Sequence, residues 1–389
     1  VKGDKIMTDT GRAVAAGSRI YWLDNLRTCM IFLVVLLHAG IVYESGGGGA
    51  LFWIVDDPAT NRLSDILNLI LDIVVMPAIF FVSGFFAALS IQKKSGWSFL
   101  KTRFRRLIVP WLFAVFTLMP LYKFLFLHSR NIPQESWTTY FHFSNGIFSQ
   151  SWLWFLPVLF LLDFLYLVLS KAKIELSRIG LKNSALAATL IGFAYLVCMY
   201  FLDAEGWTKT AWIDFQNERL LIYFMIFLLG SQCRNLGVFE SKVTSKKLYA
   251  VLLCTAWIPV YLYIRFYENS LLRPGKYVVS ELADAMVIRI TLLMSLFFLL
   301  FVVINTFRYY LNRQGKMSKE LNKNSYGVYI IHTIVLGGIA YALLYTTIPS
   351  LLKFLLLTVF TYAACNLIVY FYRTVIKSKI LFILTEGKK

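Results

Sequence analysis

Apolar runs of about twenty residues, separated by short polar stretches, recur along the whole chain. A membrane-spanning helix needs about 20 mainly apolar residues. On that measure the pattern predicts ten spans, at approximately 26–44, 66–90, 107–127, 152–170, 185–202, 219–236, 248–267, 286–305, 326–346 and 351–372. The expected fold is therefore all-α, a polytopic membrane protein of about ten transmembrane helices. The organisation expected is a tail over 1–20, one ten-helix domain over 21–375 and a second tail over 376–389. Residues 1–20 are polar and lack the apolar core of a signal peptide, so no cleaved leader is expected. Val1–Ile6 precede Met7 and are set apart as a candidate non-native extension.

Composition supports this reading. Of the 389 residues 58% are hydrophobic and only 15% charged, against about 25% charged in an ordinary soluble domain. Disorder and a secreted disulfide scaffold are excluded. The net charge of +18 would suggest an acidic partner in a soluble protein, but a membrane protein collects Lys and Arg in its cytoplasmic loops. Placing the N-terminus in the cytoplasm puts 29 of the 39 Lys and Arg on that side, nine outside and Arg289 within a span. Both termini are therefore expected in the cytoplasm. The five cysteines form no paired spacing and no cluster with histidine, so buried single thiols are expected and neither disulfides nor a metal site.

Ionisable groups inside spans are costly and are candidates for function. Arg27 and His38 are eleven residues apart, nearly three helical turns, so they share one face about 16 Å apart along the axis, and Asp24 lies close to the same stripe. The alternative is a snorkelling Arg27 and a packing His38. Asp72 in the second span is expected at the depth of His38, where it would either hold the imidazole as a carboxylate does in base catalysis or bond another polar group. Lys93, Lys94, Lys101, Arg103, Arg105 and Arg106 are read as one cytoplasmic loop, which serves topology alone or binds phosphates of a donor. The loop has no folded reading module, so nucleic acid is not an expected partner. Ser151–Phe155 reads as part of an interfacial aromatic belt. Asp163 and Arg289 have no readable partner. His332 is expected about 9 Å inside the ninth span from the cytoplasm, in a structural or a ligand-contacting role.

Together these residues resemble the acyltransferase-3 family of bacterial integral-membrane acyltransferases. The likeness is carried by Leu23-Asp24-Asn25-Leu26-Arg27 with His38 after ten intervening residues, by Phe80-Phe81-Val82-Ser83-Gly84-Phe85, by the basic run ending Arg105-Arg106 with Pro110, and by Ser325-Tyr326-Gly327-Val328-Tyr329-Ile330-Ile331-His332. It extends over all ten expected spans. Met76-Pro77 and Leu153-Trp154-Phe155-Leu156 look closer to the glucan biosynthesis protein C branch, which succinylates periplasmic glucans. The fourth-span glutamate usual in O-antigen acetylases has no counterpart here, Asp163 being the nearest acid.

The resemblance implies a multi-pass enzyme of the bacterial inner membrane. Its donor would be cytoplasmic acyl-CoA, succinyl favoured over acetyl, with no permanently bound cofactor. Its acceptor would be a hydroxyl of a periplasmic or cell-surface glycan. His38, with Asp72 from the depth match, is expected to be catalytic. Arg27, Asp24, Arg103, Arg105, Arg106, Ser83, Trp154, Tyr326 and His332 are the substrate-binding set. The expected partners are membrane lipid, acyl-CoA and the glycan. The rival reading is a proton-coupled transporter or flippase for a glycan, which would call for repeat symmetry and paired broken helices. The sequence displays neither.

Overall fold

The computed structural model describes residues 20–45, 52–136, 139, 150–172, 179–210, 212–240 and 245–376. Nearly all of both expected tails lies outside the described residues.

The helices are α1 (Tyr21–Ile41), α2 (Arg62–Ile91), α3 (Gly96–Ser129), α4 (Phe155–Lys171, entered through a 3-10 turn Ser151–Trp154), α5 (Leu181–Phe201), α6 (Asn217–Asn235), α7 (Lys246–Thr255), α8 (Trp257–Leu272), α9 (Glu281–Tyr310), α10 (Lys316–Leu344) and α11 (Ser350–Phe371). Among the described residues nine helical segments are long and apolar enough to cross a membrane, α7 and α8 counting as one. The remaining expected span is α6, whose Glu218, Arg219 and Arg234 make it too polar to qualify by composition. The break between α7 and α8 falls where Pro259 would collide with the carbonyl four residues earlier, at Thr255. The only strands among the described residues are β1 (Trp207–Lys209) and β2 (Asp214–Gln216), an antiparallel hairpin in which Trp207 faces Gln216 and Lys209 faces Asp214.

Two helices begin well before their apolar runs, and both change the sequence reading. α3 starts at Gly96 because the Ser95 hydroxyl caps Ser98 N. Lys101, Arg103, Arg105 and Arg106 are thus not in a loop but on the first turns of a 34-residue helix. α10 starts at Lys316, where Gly315 N donates to Ser318 Oγ at 2.9 Å. His332 is therefore about 24 Å from the helix start, although only six residues past the start of the apolar run at 326. Apolar length marks only the part of a helix inside lipid, and both helices continue beyond it.

α2 and α6 form the most extensive helix pair, and glycine makes their contact close. A Cβ on Gly84 would stand 1.9 Å from the Phe227 carbonyl oxygen, and one on Gly230 would stand 2.0 Å from that of Phe81. Backbone thus meets backbone in both directions, the small-residue contact that serves helix association in lipid. By contrast α5 and α11 bury few residues and expose Leu186, Leu190, Val359, Phe360 and Leu367. Such apolar faces suit a hydrocarbon surround. Of the five free cysteines, Cys233 and Cys365 are buried, but Cys198 of α5 and Cys254 of α7 are exposed, a correction to the expectation of burial.

The two ends of the bundle are tied separately. At one, Asn25 Nδ2 donates to the carbonyls of Leu311 (2.7 Å) and Arg313 (2.8 Å), Thr28 Oγ1 to Asn322 Oδ1 (2.6 Å), and Arg373 pairs with Glu320. The start of α1 and the end of α11 thus share this Arg27 end. At the other, Lys353 is paired with Asp57 at 2.8 Å, both side chains at most 2% exposed. Residues 53–55 fold back into the bundle there, with Trp53, Ile54 and Val55 buried.

Candidate active site

α1 positions Arg27 and His38 toward opposite ends of one helix. Arg27 is 36% exposed and lies 3.3 Å from Asp24 Oδ1, a carboxylate that is itself buried. His38 meets His332 of α10: Nδ1 is 2.7 Å from His332 Nε2, with the rings 4.9 Å apart and within 4° of parallel. Trp53 leans on the His38 ring at 4.7 Å. Arg130 fixes that tryptophan by donating to its carbonyl at 3.0 Å. Burial draws the Arg130 pKa down, opposed by Asp56 and Tyr122.

The partners of the two histidines assign their tautomers. His332 Nδ1 is 2.6 Å from the Tyr329 carbonyl, which can only accept, so Nδ1 carries the proton. In a neutral imidazole the other nitrogen then accepts. His332 Nε2 therefore accepts a hydrogen bond from His38 Nδ1–H, and the lone pair of His38 is left on Nε2. A carbonyl anchors the chain of polar contacts, and a bare basic nitrogen ends it.

His38 lines a chamber of about 490 Å³. Aromatic rings wall it: Trp152, Trp154, Tyr223 and Tyr329, with Trp154 stacked 5.9 Å from Tyr223. Its polar lining includes Asp72, Lys209, Asp214 and Gln216. The hairpin reaches the chamber because Asp214 accepts from Gln150 N and Thr210 N, both at 2.9 Å, and because Trp207 meets Trp154 edge-on at 5.4 Å.

Several sequence readings change here. Asp72 lines the chamber with His38 but does not hold its imidazole. Its Oδ2 takes Arg219 Nη2 of α6 at 2.7 Å, and the His38 nitrogen it was expected to meet faces His332. The α2–α6 contact brings the guanidinium to the carboxylate, and the ion pair is the stronger partner. Arg103 is not free for a ligand: it turns inward to Asp163, 3.3 Å away and fully buried, while Arg105 and Arg106 stay exposed. Trp152 is not in an interfacial belt. It is 2% exposed, its indole donates to the Ile330 carbonyl at 3.0 Å, and Tyr329 Oη donates to the Trp152 carbonyl.

Trp154 lies on the chamber wall, whereas Ser83, half-buried on α2, is eleven residues and about 16 Å along the helix from Asp72. Tyr326 Oη donates to the Arg106 carbonyl at 2.5 Å, tying α10 to α3 at the Arg27 end. Asp163 and Arg289 gain partners, Arg289 binding Glu205 and the Ala285 carbonyl at 2.7 Å.

Trp53, Lys209, Arg219 and Tyr329 were missed as site residues. Arg219, at the start of an apolar run, could have been paired with Asp72 by depth. The other three depend on a back-folded loop, a hairpin and a helix contact, for which the sequence carries no local signal.

Fold and site together define a multi-pass helical membrane protein with a paired histidine facing an aromatic chamber at one end of its bundle. The chain belongs to the acyltransferase-3 family: the sequence profile described as "Acyltransferase domain" matches residues 20–370. Among curated proteins it is similar to glucans biosynthesis protein C of Salmonella schwarzengrund and of Salmonella typhi. Each is 24% identical over 227 residues, covering 55% of this chain and 58% of the relative. The match thus spans little more than half of each protein. No solved structure matches.

Proposed function

We propose that the chain is a membrane O-acyltransferase. It moves an acyl group, succinyl in preference to acetyl, from acyl-CoA at the Arg27 end to a hydroxyl of a periplasmic or cell-surface glycan at the His38 end. The reading is carried by the Tyr329 carbonyl–His332–His38 chain, which leaves His38 Nε2 as a base on the chamber wall. The acceptor hydroxyl gives its proton to Nε2 while its oxygen attacks the thioester carbonyl. The C–S bond breaks, the thiolate takes the proton from the imidazolium, and the products are an ester and CoA thiol.

In this reading Arg27, oriented by Asp24, acts with the exposed Arg105 and Arg106 to bind donor phosphates. Tyr326 and Arg103 hold the helices that present them, and Asp72 shapes the chamber through Arg219. Lys209 is the one Lys or Arg among the described residues lining the chamber, which suits an acyl group ending in a carboxylate. The membrane is the bacterial inner membrane with the Arg27 end in the cytoplasm, as the charge distribution favours. The name of the Salmonella relatives, glucans biosynthesis protein C, supports a glucan as acceptor.

The test is release of CoA thiol from succinyl-CoA by purified protein with a glucan acceptor. His38→Ala should lower the rate about 10²–10⁴-fold. Wild-type turnover by a folded His38→Ala protein would remove the base from the mechanism.

A further inference from the structure

Beside the chamber lies a second and larger cavity of about 830 Å³, bounded by α1, α2, α5, α6, α8 and α9. It shares Leu37, Ile41, Asp72 and Gln216 with the chamber, so the Asp72–Arg219 pair stands where the two spaces meet. Its lining is acidic, with eight carboxylates against four Arg or Lys among the described residues. Tyrosines 200, 263, 267 and 277 add aromatic surface.

These carboxylates are set in place. Glu218 accepts from Gly206 N (2.9 Å) and Gln216 Nε2 (2.7 Å), Glu268 from Arg62 (2.6 Å), and Asp284 from Val278 N (2.6 Å) and Val279 N (3.0 Å). Glu44 accepts from Asn68 at 2.6 Å. Burial raises the Glu44 pKa, the Asn68 bond opposes the rise, and Asp65 and Asp72 add to it.

We infer that this vestibule is a subsite for the uncharged sugar units flanking the one acylated at His38, and that its charge excludes acceptors carrying anionic groups there. The inference rests on the acyl-transfer reading and specifies what the acceptor must be. Fixed carboxylates accept hydroxyl hydrogen bonds, and tyrosine rings offer apolar faces beside polar tips. The volume lies in the upper part of the range for small-ligand sites. A field of one sign repels a ligand of that sign.

The experiment compares kcat/KM for glucose, maltopentaose and pentagalacturonate with the full-length protein and succinyl-CoA. Maltopentaose should exceed both others by about tenfold or more, and Tyr267→Ala should reduce the maltopentaose-to-glucose ratio about tenfold. Glu281→Gln, at an exposed position on the rim, should raise the relative rate on pentagalacturonate. Equal values for glucose and maltopentaose, or a ratio unchanged by Tyr267→Ala in folded protein, would overturn the subsite. If no acceptor is acylated, the acyl-transfer reading fails instead. Calorimetric binding of maltopentaose but not pentagalacturonate, weakened by Tyr267→Ala, then still supports the vestibule, and its absence overturns it.

Discussion

His38 and His332 are 294 residues apart in the sequence, yet Nδ1 of one is 2.7 Å from Nε2 of the other. The second ring takes its tautomer from the Tyr329 carbonyl three residues before it. His332 is a positioning residue in this arrangement, since it fixes which nitrogen of His38 is basic. His332→Ala removes the acceptor for His38 Nδ1–H, whereas His332→Gln supplies an amide oxygen in its place. Steady-state kinetics should show kcat falling more than KM changes for the alanine variant, with partial recovery for glutamine. Equal losses in both variants would point to packing alone.

Lys209 gives a prediction about the donor. Lys209→Ala should lower the succinyl-CoA to acetyl-CoA preference about tenfold, the scale of one hydrogen bond to a charged group. Competition between the two donors at equal concentration measures it, and an unchanged product ratio refutes the assignment.

Asp72 and Arg219 form a pair in which the guanidinium side chain is 6% exposed. Asp72→Asn leaves that charge without its counter-ion, but the Asp72 carboxylate is itself 45% exposed, so water shares the compensation and the loss should be about 1–3 kcal/mol. The double variant Asp72→Asn/Arg219→Gln removes both charges and should recover much of the loss. Thermal unfolding of the two variants in detergent decides the matter, and additive losses would contradict the pairing.

Gly84 and Gly230 make a packing prediction. Alanine at either position places a methyl carbon about 2 Å from a carbonyl oxygen of the facing helix. Overpacking of this kind costs about 1–3 kcal/mol, read as a lowered Tm. A wild-type Tm for Gly84→Ala would mean that the helices separate without strain.

The buried Lys353–Asp57 pair ties α11 to the chain between α1 and α2. Lys353→Met leaves Asp57 buried and uncompensated, with an expected loss of about 3–5 kcal/mol. Lys353→Met/Asp57→Leu should be closer to wild type, and proteolysis near residues 53–61 should separate the single from the double variant.

How much of this was legible beforehand depends on the range of the physics. Apolar length located every spanning element, because hydrocarbon thickness is a property each segment satisfies alone. The Arg27–His38 stripe was legible too, since helical period is local. His332 was found but its partner was not, because the contact of α10 with α1 that brings it to His38 is tertiary. The partner of Asp72 was left open between the imidazole and another polar group, because depth matching cannot choose between two neighbouring helices. Trp152 looked interfacial by composition, and only its bond to the Ile330 carbonyl shows it to be internal.

The glycine crossing of α2 and α6 has a mechanical consequence. These helices run parallel and are fastened twice, at Asp72–Arg219 and again eleven to twelve residues on at Gly84 and Gly230, about 16–18 Å apart. Two rods joined at one point can pivot, but two rods joined at two points behave as a single beam. The beam is therefore the fixed wall common to the chamber and the larger cavity beside it.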